Sequence, residues 1–145
     1  VEAAPFRSHL RHLCAVSGLP WAVVALQAGL SIRHADALLH GRRGRPLRRL
    51  PRPTAARLWA LTVDDLAALS RVAVPAEPVA HRVEALLLEG VPLRRVCRQL
   101  GWSPGRLAAL LDAELAGVSA AEALRVTALA ETWDRDRLAD ALRAA

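Results

Sequence analysis

Residues 21–40 read WAVVALQAGLSIRHADALLH, and the prediction of the fold starts from this stretch. Its apolar residues recur every three to four positions, the period of an amphipathic helix, and Gly29 interrupts the pattern in the middle. Ala25 is small enough to let two helix backbones approach closely, and Ser31 is a typical residue to cap a second helix. The stretch therefore predicts two short helices that cross steeply about a glycine turn.

The same pattern occurs a second time further along the chain. In the first copy the positions expected to face the interior are Val24, Ala28, Leu30, Ala35 and Leu38. In the second copy Cys97 takes the small position and Gly101 the turn, and the inward set is Val96, Leu100, Trp102, Leu107 and Leu110. A shared register in both copies argues against chance, so we predict a helix-turn-helix in each.

The rest of the chain is also organised as a repeat of helical units. Alternating apolar and polar residues are almost absent, and alanine and leucine dominate at helical spacing. We predict an all-α fold of two tandem units, 1–72 and 73–145, with about five helices each. The expected helices are 5–16, 20–28, 32–39 capped by Ser31, 53–61 and 64–71, then 78–88, 92–100, 104–111 capped by Ser103, 119–130 and 134–143.

Composition excludes several classes of protein. The chain has 145 residues, and a hydrophobic share of 53% excludes a disordered tail. Its apolar runs are broken by charged residues before 18 positions, which excludes a transmembrane helix, and its first residues do not resemble a signal peptide. Two cysteines, Cys14 and Cys97, are too few for a disulfide framework, so a cytoplasmic location is expected.

The placement of charge is more informative than its total. Arginine replaces lysine throughout, as in a GC-rich genome, so the net charge of +6 is weak evidence for nucleic-acid binding. Residues 1–62, however, hold ten arginines and two acids, whereas residues 63–145 hold ten arginines and twelve acids. The positive charge is therefore concentrated in the first unit, where a polyanion would bind.

The sequence resembles the tandem helix-turn-helix, lambda-repressor-like DNA-binding proteins of actinobacteria and their phages. The resemblance covers nearly the whole chain through the segments PFRSHLRHL, GLPWAVVALQAGLS, LLHGR and RRLPRPTAARLWAL. It implies a transcriptional regulator that binds double-stranded DNA and places the third helix of the first unit in a major groove. Carried onto this chain, the residues facing the bases would be Ser31, Ile32, Arg33, His34, Asp36 and Ala37.

Three of these positions have side chains that suit contacts with DNA. Arg33 suits a bidentate contact with guanine, Ile32 a thymine methyl group, and Ser31 a phosphate or a base edge. The alternative is that Arg33 and Asp36 merely form a solvated pair on the helix surface.

The second unit offers little at the equivalent positions. They are Pro104, Gly105, Ala108 and Ala109, which carry almost no donors or acceptors. We therefore expect this copy to serve packing, dimerisation or an auxiliary phosphate contact, for which only Ser103 and Arg106 are candidates.

A basic loop follows the expected recognition helix. Seven arginines and no acid lie between positions 40 and 57, namely Arg42, Arg43, Arg45, Arg48, Arg49, Arg52 and Arg57. Like charges at this density repel one another unless a polyanion neutralises them. Within the loop, Arg43-Gly44-Arg45-Pro46 resembles the core of an AT-hook, an extended segment that lays two guanidinium groups in a narrow minor groove.

Other chemistry is poorly supported. His9, His12 and Cys14 do not share one helix face, so no metal and no cofactor are expected, and the absence of catalytic motifs predicts that the chain is not an enzyme. Trp59 and Trp133 are expected to fill the two small cores.

Three functions follow as alternatives. The first is a transcriptional regulator with major-groove readout by helix 31–39 and backbone or minor-groove contacts from loop 42–57. The second is an A·T-preferring nucleoid or silencing protein. The third is an adaptor that docks a protein of the transcription machinery through residues 103–145. The expected partner is double-stranded DNA, with a second copy of the chain in a homodimer or a protein of the transcription machinery as a further partner. No association with a membrane is expected. The expected location is cytoplasmic and nucleoid-associated.

Overall fold

A computed structural model describes residues 1–145 as two compact units, Val1–Leu69 and Ser70–Ala145. The division lies three residues before the predicted boundary between 72 and 73. Nearly all of the regular structure is helical, as the sequence predicts. None of the helices has both the length and the apolar character needed to cross a membrane.

The first unit contains five helices. They are α1 (Ala4–Ser17), α2 (Trp21–Gln27), α3 (Ile32–His40), α4 (Arg52–Ala60) and α5 (Val63–Leu69). The first helix ends at Gly18, whose φ of 72° is left-handed and whose N–H donates to the Cys14 carbonyl. Leu10 and Leu13 of α1 are buried together with Val23 and Val24 of α2, Leu38 of α3 and Leu58 of α4, and these side chains form the core.

The second unit contains four helices and a small sheet. In chain order the elements are β1 (Ala73–Pro75), α6 (Ala76–Leu88), α7 (Leu93–Leu100), α8 (Pro104–Leu111), β2 (Gly117–Ser119) and α9 (Ala120–Ala144). The strands are antiparallel, with Val74 opposite Val118. Val83, Val96, Leu107 and Val126 are fully buried and bring α6, α7, α8 and α9 around one core.

Two features of this unit differ from the prediction. The sheet was not expected, since strands of three residues are too short to show an alternating pattern. The two closing helices expected at 119–130 and 134–143 are one helix, α9, so the unit has four helices instead of five. Residues 131–133 contain neither glycine nor proline, and nothing in them ends a helix.

The two copies of the helical pair share their local structure. The turn glycines Gly29 and Gly101 have φ of 79° and 69°. Ser31 and Ser103 cap the following helices through Oγ, which accepts from the N–H three residues on at 3.1 Å and 3.2 Å. All ten positions predicted to face the interior are buried, as are Ala25 and Cys97 at the small positions. This part of the prediction is confirmed.

Candidate nucleic-acid interface

The exposed surface of α3 is formed by its first turn and its last residue. Ser31, Arg33, His34 and His40 are exposed, and Asp36 is half-buried. The capping bond from the His34 N–H to Ser31 fixes the first turn. Arg33 and His34 therefore stand next to each other at the start of α3, open to a ligand.

Two of the predicted contact residues lie in the interior instead. Ile32 and Ala37 are each only 3% exposed. A side chain at the first position of a helix leans back over the preceding turn, which carries Ile32 away from the solvent. Ala37 lies where the end of α3 is held by α1, whose Arg7 and Arg11 donate to the carbonyls of Leu38 and Leu39. The expectation that Ile32 and Ala37 face a ligand is wrong.

The end of α3 carries a small polar and aromatic cluster. His40 Nδ1 lies 2.7 Å from Asp36 Oδ1, and the two side chains are one helical turn apart. The edge of the same imidazole meets the Trp21 ring, with the centroids 5.8 Å apart. Asp36 thus has His40 as a partner, and Trp21, whose role the sequence left open, packs at the end of α3.

The basic loop between α3 and α4 is held in place by backbone hydrogen bonds to the first residues of the chain and by one side chain of α1. The Ala3 N–H donates to the Arg48 carbonyl and the Leu50 N–H donates to the Val1 carbonyl, both at 2.9 Å. From α1, the guanidinium of Arg7 donates to the carbonyls of Leu38 and Leu47, both at 2.6 Å. Arg7 therefore fixes the loop relative to α3.

The first part of this loop is a tight hairpin. Arg42 and Arg45 exchange both backbone hydrogen bonds, at 2.9 Å and 3.0 Å, and Arg43 and Gly44 between them have φ of 52° and 74°. Two positive φ values define the type I′ turn that closes two-residue hairpins. The expectation of an extended Arg-Gly-Arg-Pro segment is therefore wrong. Only one guanidinium, that of Arg43, stands at the tip.

All seven arginines of the basic loop and α4 are exposed. The last of them, Arg57, does not lie at the loop but next to the turn between α2 and α3. Its Cδ and Nε are 3.5 Å from the point where a Cβ on Gly29 would stand. The positive charge thus extends from the hairpin tip to the turn that precedes the first residues of α3.

The corresponding surface of the second unit is arranged differently. The guanidinium of Arg106 lies 4.5 Å from the centre of the Trp102 ring and 3.4 Å from Glu122 Oε2. The Trp102 indole N–H also donates to Glu122. The Ser103 hydroxyl serves as the cap of α8. Arg106, one of the two residues predicted as auxiliary phosphate contacts, is therefore already engaged within the unit, whereas Ser103 has the same capping role as Ser31.

Glu122 is the centre of this cluster and is ionised more readily than an ordinary glutamate. Partial burial alone would raise its pKa, but hydrogen bonds from the Ser119 N–H, the Trp102 indole N–H and the Ser119 hydroxyl, together with the charge of Arg106, outweigh that effect. The pKa of Glu122 is therefore lowered, and the carboxylate is held as an anion between α8 and α9.

His9 and Cys14, the residues of the first unit that were considered as metal ligands, have surroundings that indicate structural roles. His9 Nε2 lies 3.2 Å from the Leu61 carbonyl, and its ring lies 4.9 Å from that of Trp59. Burial raises the pKa of the Cys14 thiol, which disfavours the thiolate.

The two core tryptophans of the prediction have different outcomes. Trp59 is 60% exposed, with its ring centroid 5.8 Å from that of Phe6 and 4.9 Å from that of His9, so the expectation that it fills a core is wrong. It lies on α4 beyond the buried positions Ala55 and Leu58, on the side that faces solvent. Trp133 packs against the core of the second unit as expected.

The sequence did not single out Arg7 or Glu122, which organise the two surfaces. Arg7 looks like any other arginine in an arginine-rich chain, and its two carbonyl partners lie 31 and 40 residues away. Glu122 had a detectable signal, because Ser119 and Glu122 form a capping box, Ser-x-x-Glu. No family model matches the chain, and no curated protein or solved structure matches it.

Proposed function

We propose that this protein binds double-stranded DNA through its first unit and acts as a transcriptional regulator. The α2–turn–α3 pair works as a helix-turn-helix, with Arg33, His34 and Ser31 at the base edges of a major groove. The exposed arginines of the basic loop bind the adjacent DNA phosphates. Arg57 binds the sugar-phosphate backbone of the DNA next to the turn between α2 and α3.

One observation carries this proposal. An anchored loop with five exposed arginines follows directly on a helix whose exposed first turn offers Arg33 and His34. Residues 1–69 hold ten arginines and four acids, a net charge of +6, whereas residues 70–145 hold ten of each. A surface of this charge attracts a polyanion, and the neighbouring α3 supplies side chains that distinguish bases.

A specific observation favours a second function, A·T-preferring binding in the manner of a nucleoid protein. Arg43 has a left-handed backbone, φ 52°, at a turn position that glycine or asparagine would occupy at lower cost. An arginine at such a strained position points to a role for its side chain, and a narrow A·T minor groove attracts arginine. Here the single tip residue would enter the groove.

The test is selection of duplexes from a random DNA pool by the purified full chain at physiological salt, followed by sequencing. An enriched motif is expected and would identify a site-specific regulator. Retention with only an A·T bias would favour the second function. If no DNA is retained, both proposals fail.

Arg33→Ala separates base reading from general attraction. We expect the variant to lose preference at one base pair, by roughly 1–3 kcal/mol, because a bidentate contact is removed. The matched control is Arg71→Ala, which removes one exposed arginine of the second unit. An unchanged motif for Arg33→Ala would exclude base reading by this residue.

A further inference from the structure

The outer half of α9, from Glu131 onward, carries a stripe of exposed side chains that no part of its own unit covers. Leu138 is 62% exposed and Leu142 is 69% exposed. Glu131 and Asp134, both exposed, lie seven and four residues before Leu138, so all four side chains fall on one side of the helix. The stripe is acidic at its beginning and apolar at its end.

The opposite side of α9 faces the unit. Trp133 packs against the core, and Arg137 Nη1 lies 3.2 Å from Glu89 Oε2 at the end of α6. Because these contacts fix the rotation of the helix about its axis, the stripe of Glu131, Asp134, Leu138 and Leu142 points away from the unit. A leucine pair at this spacing on a helix is a typical anchor for a groove.

A complementary groove lies on the same unit. It runs along α7 to the start of α8 and is lined by Leu93, Cys97, Gly101, Trp102 and Pro104, with Arg94 and Arg98 at its edge. Leu93 is 46% exposed, although it is a large apolar residue. Arg94 and Arg98 are exposed one turn apart, and α7 contains no acid. An apolar floor beside two guanidinium groups suits a helix that presents leucines and carboxylates.

The α9 of the same chain cannot enter this groove. The guanidinium of Arg95 lies 5.4 Å from the Trp133 ring, and Arg125 donates to the Gln99 carbonyl at 3.4 Å. These contacts place α9 against one side of α7, while Arg94, Cys97, Arg98 and Gly101 face another side. A continuous helix does not turn back around its neighbour, so the stripe and the groove of one chain stay apart.

We propose that the outer half of α9 in one copy docks into the α7–α8 groove of a second copy. Leu138 and Leu142 contact the apolar floor, and Glu131 and Asp134 pair with Arg94 and Arg98. The contact is head-to-tail, because stripe and groove are different surfaces of one unit, and such contacts form rings or open chains of molecules. This association does not depend on the proposed DNA binding.

The test is sedimentation velocity of the full chain without DNA over a range of concentrations. We expect the wild type to self-associate and Leu138→Ser with Leu142→Ser to weaken this by at least about tenfold. The pair Arg94→Glu and Arg98→Glu, and the pair Glu131→Arg and Asp134→Arg, should each weaken it similarly, since like charges then face each other. All four charge reversals together should restore association. Circular dichroism verifies that each variant remains folded.

The matched control is Glu77→Arg with Glu84→Arg, which reverses two exposed acids of α6 and should leave association unchanged. A wild type that stays monomeric at every concentration would overturn the proposal. So would association that needs the leucines but tolerates reversal of Arg94 and Arg98, which would indicate pairing of two α9 helices. Failure of the fourfold variant to associate would also contradict the assigned charge pairs.

Discussion

Gly41 determines the course of the chain where α3 ends and the basic loop begins. Its φ of 76° and ψ of −176° are accessible only to glycine at low cost. A Cβ at this position would stand 2.2 Å from the Arg45 carbonyl oxygen, a backbone atom of the hairpin. The hairpin can therefore close against α3 only because position 41 has no side chain.

Gly41→Ala tests this requirement. We expect a loss of at least about 2 kcal/mol in the unfolding free energy of the first unit, because the strained backbone and the clash act together. Amide exchange in α1 and α3 measures the loss. DNA affinity should also fall although no charge is removed.

The control for this substitution is Gly18→Ala. Gly18 has a similar φ of 72°, but nothing lies within 4 Å of a Cβ there. The cost should be limited to the left-handed backbone, roughly 1–2 kcal/mol. Equal effects of the two substitutions would show that the close approach at Gly41 is unimportant.

Glu122 makes the stability of the second unit depend on pH. Because its pKa is lower in the folded state, its carboxylate stabilises the unit fully above the ordinary glutamate value and loses this effect as the pH falls through the folded pKa. We expect Glu122→Gln to reduce unfolding free energy by about 1–3 kcal/mol at neutral pH. In acid below the folded pKa the difference should shrink, since the wild-type side chain is then neutral too.

Amide exchange in α8 and α9 at neutral and acidic pH measures this dependence. Glu84→Gln is the control, because Glu84 is exposed on α6 of the same unit and should change stability by less than about 0.5 kcal/mol. A difference between Glu122→Gln and wild type that stays constant with pH would show that ionisation of this carboxylate is not involved.

At the scale of elements, the basic loop should govern the salt dependence of DNA binding. If all seven arginines contacted phosphate, the logarithm of the binding constant would fall with the logarithm of salt concentration with a slope of about −6. Replacing Arg43 and Arg45 by alanine should flatten the slope by up to about 2, at about 0.9 per lost contact. Binding titrations between low and physiological salt measure both quantities.

Arg71→Ala with Arg143→Ala is the matched double variant. It also removes two exposed positive charges, but from the second unit. Its salt slope should equal that of the wild type. A loop variant with the wild-type slope and affinity would remove the hairpin from the proposed interface.

At the scale of the whole molecule, the two units share one pattern of helices but differ in surface chemistry. The first unit leaves the seven arginines of residues 42–57 exposed, whereas at the corresponding surface of the second unit Arg106 is engaged by Trp102 and Glu122. We therefore expect DNA to protect amides at 31–57 from hydrogen exchange in the full chain and to leave 103–111 unchanged. Protection of 103–111 by DNA would assign base or phosphate contacts to the second copy as well.

Much of the helical architecture could be predicted from the sequence, because helix starts and turns are encoded locally. Ser31, Ser103, Gly29 and Gly101 each act on their immediate neighbours, and the apolar period then identifies the buried side of each helix. The same reasoning failed for α9, which was predicted as two helices separated at residues 131–133. These residues include no glycine or proline, and the helix continues through them.

The candidate site was less predictable, since exposure depends on what packs next to a helix. The family resemblance implied that Ile32 and Ala37 face the bases together with Arg33, but the fold buries the first two and leaves the third exposed. The AT-hook resemblance of residues 43–46 is one of composition, and the backbone there closes a turn instead of extending.

Local propensity, period and composition are enough to predict the all-helical class, the repeated helical pair and the cluster of arginines at 42–57. Which side chains are available for binding depends on how the helices pack. Arg7 reaches carbonyls more than 30 residues away, and Glu122 engages Arg106 and Trp102. Such contacts join residues distant in sequence, and their partners are specified by the packed fold and not by any local pattern.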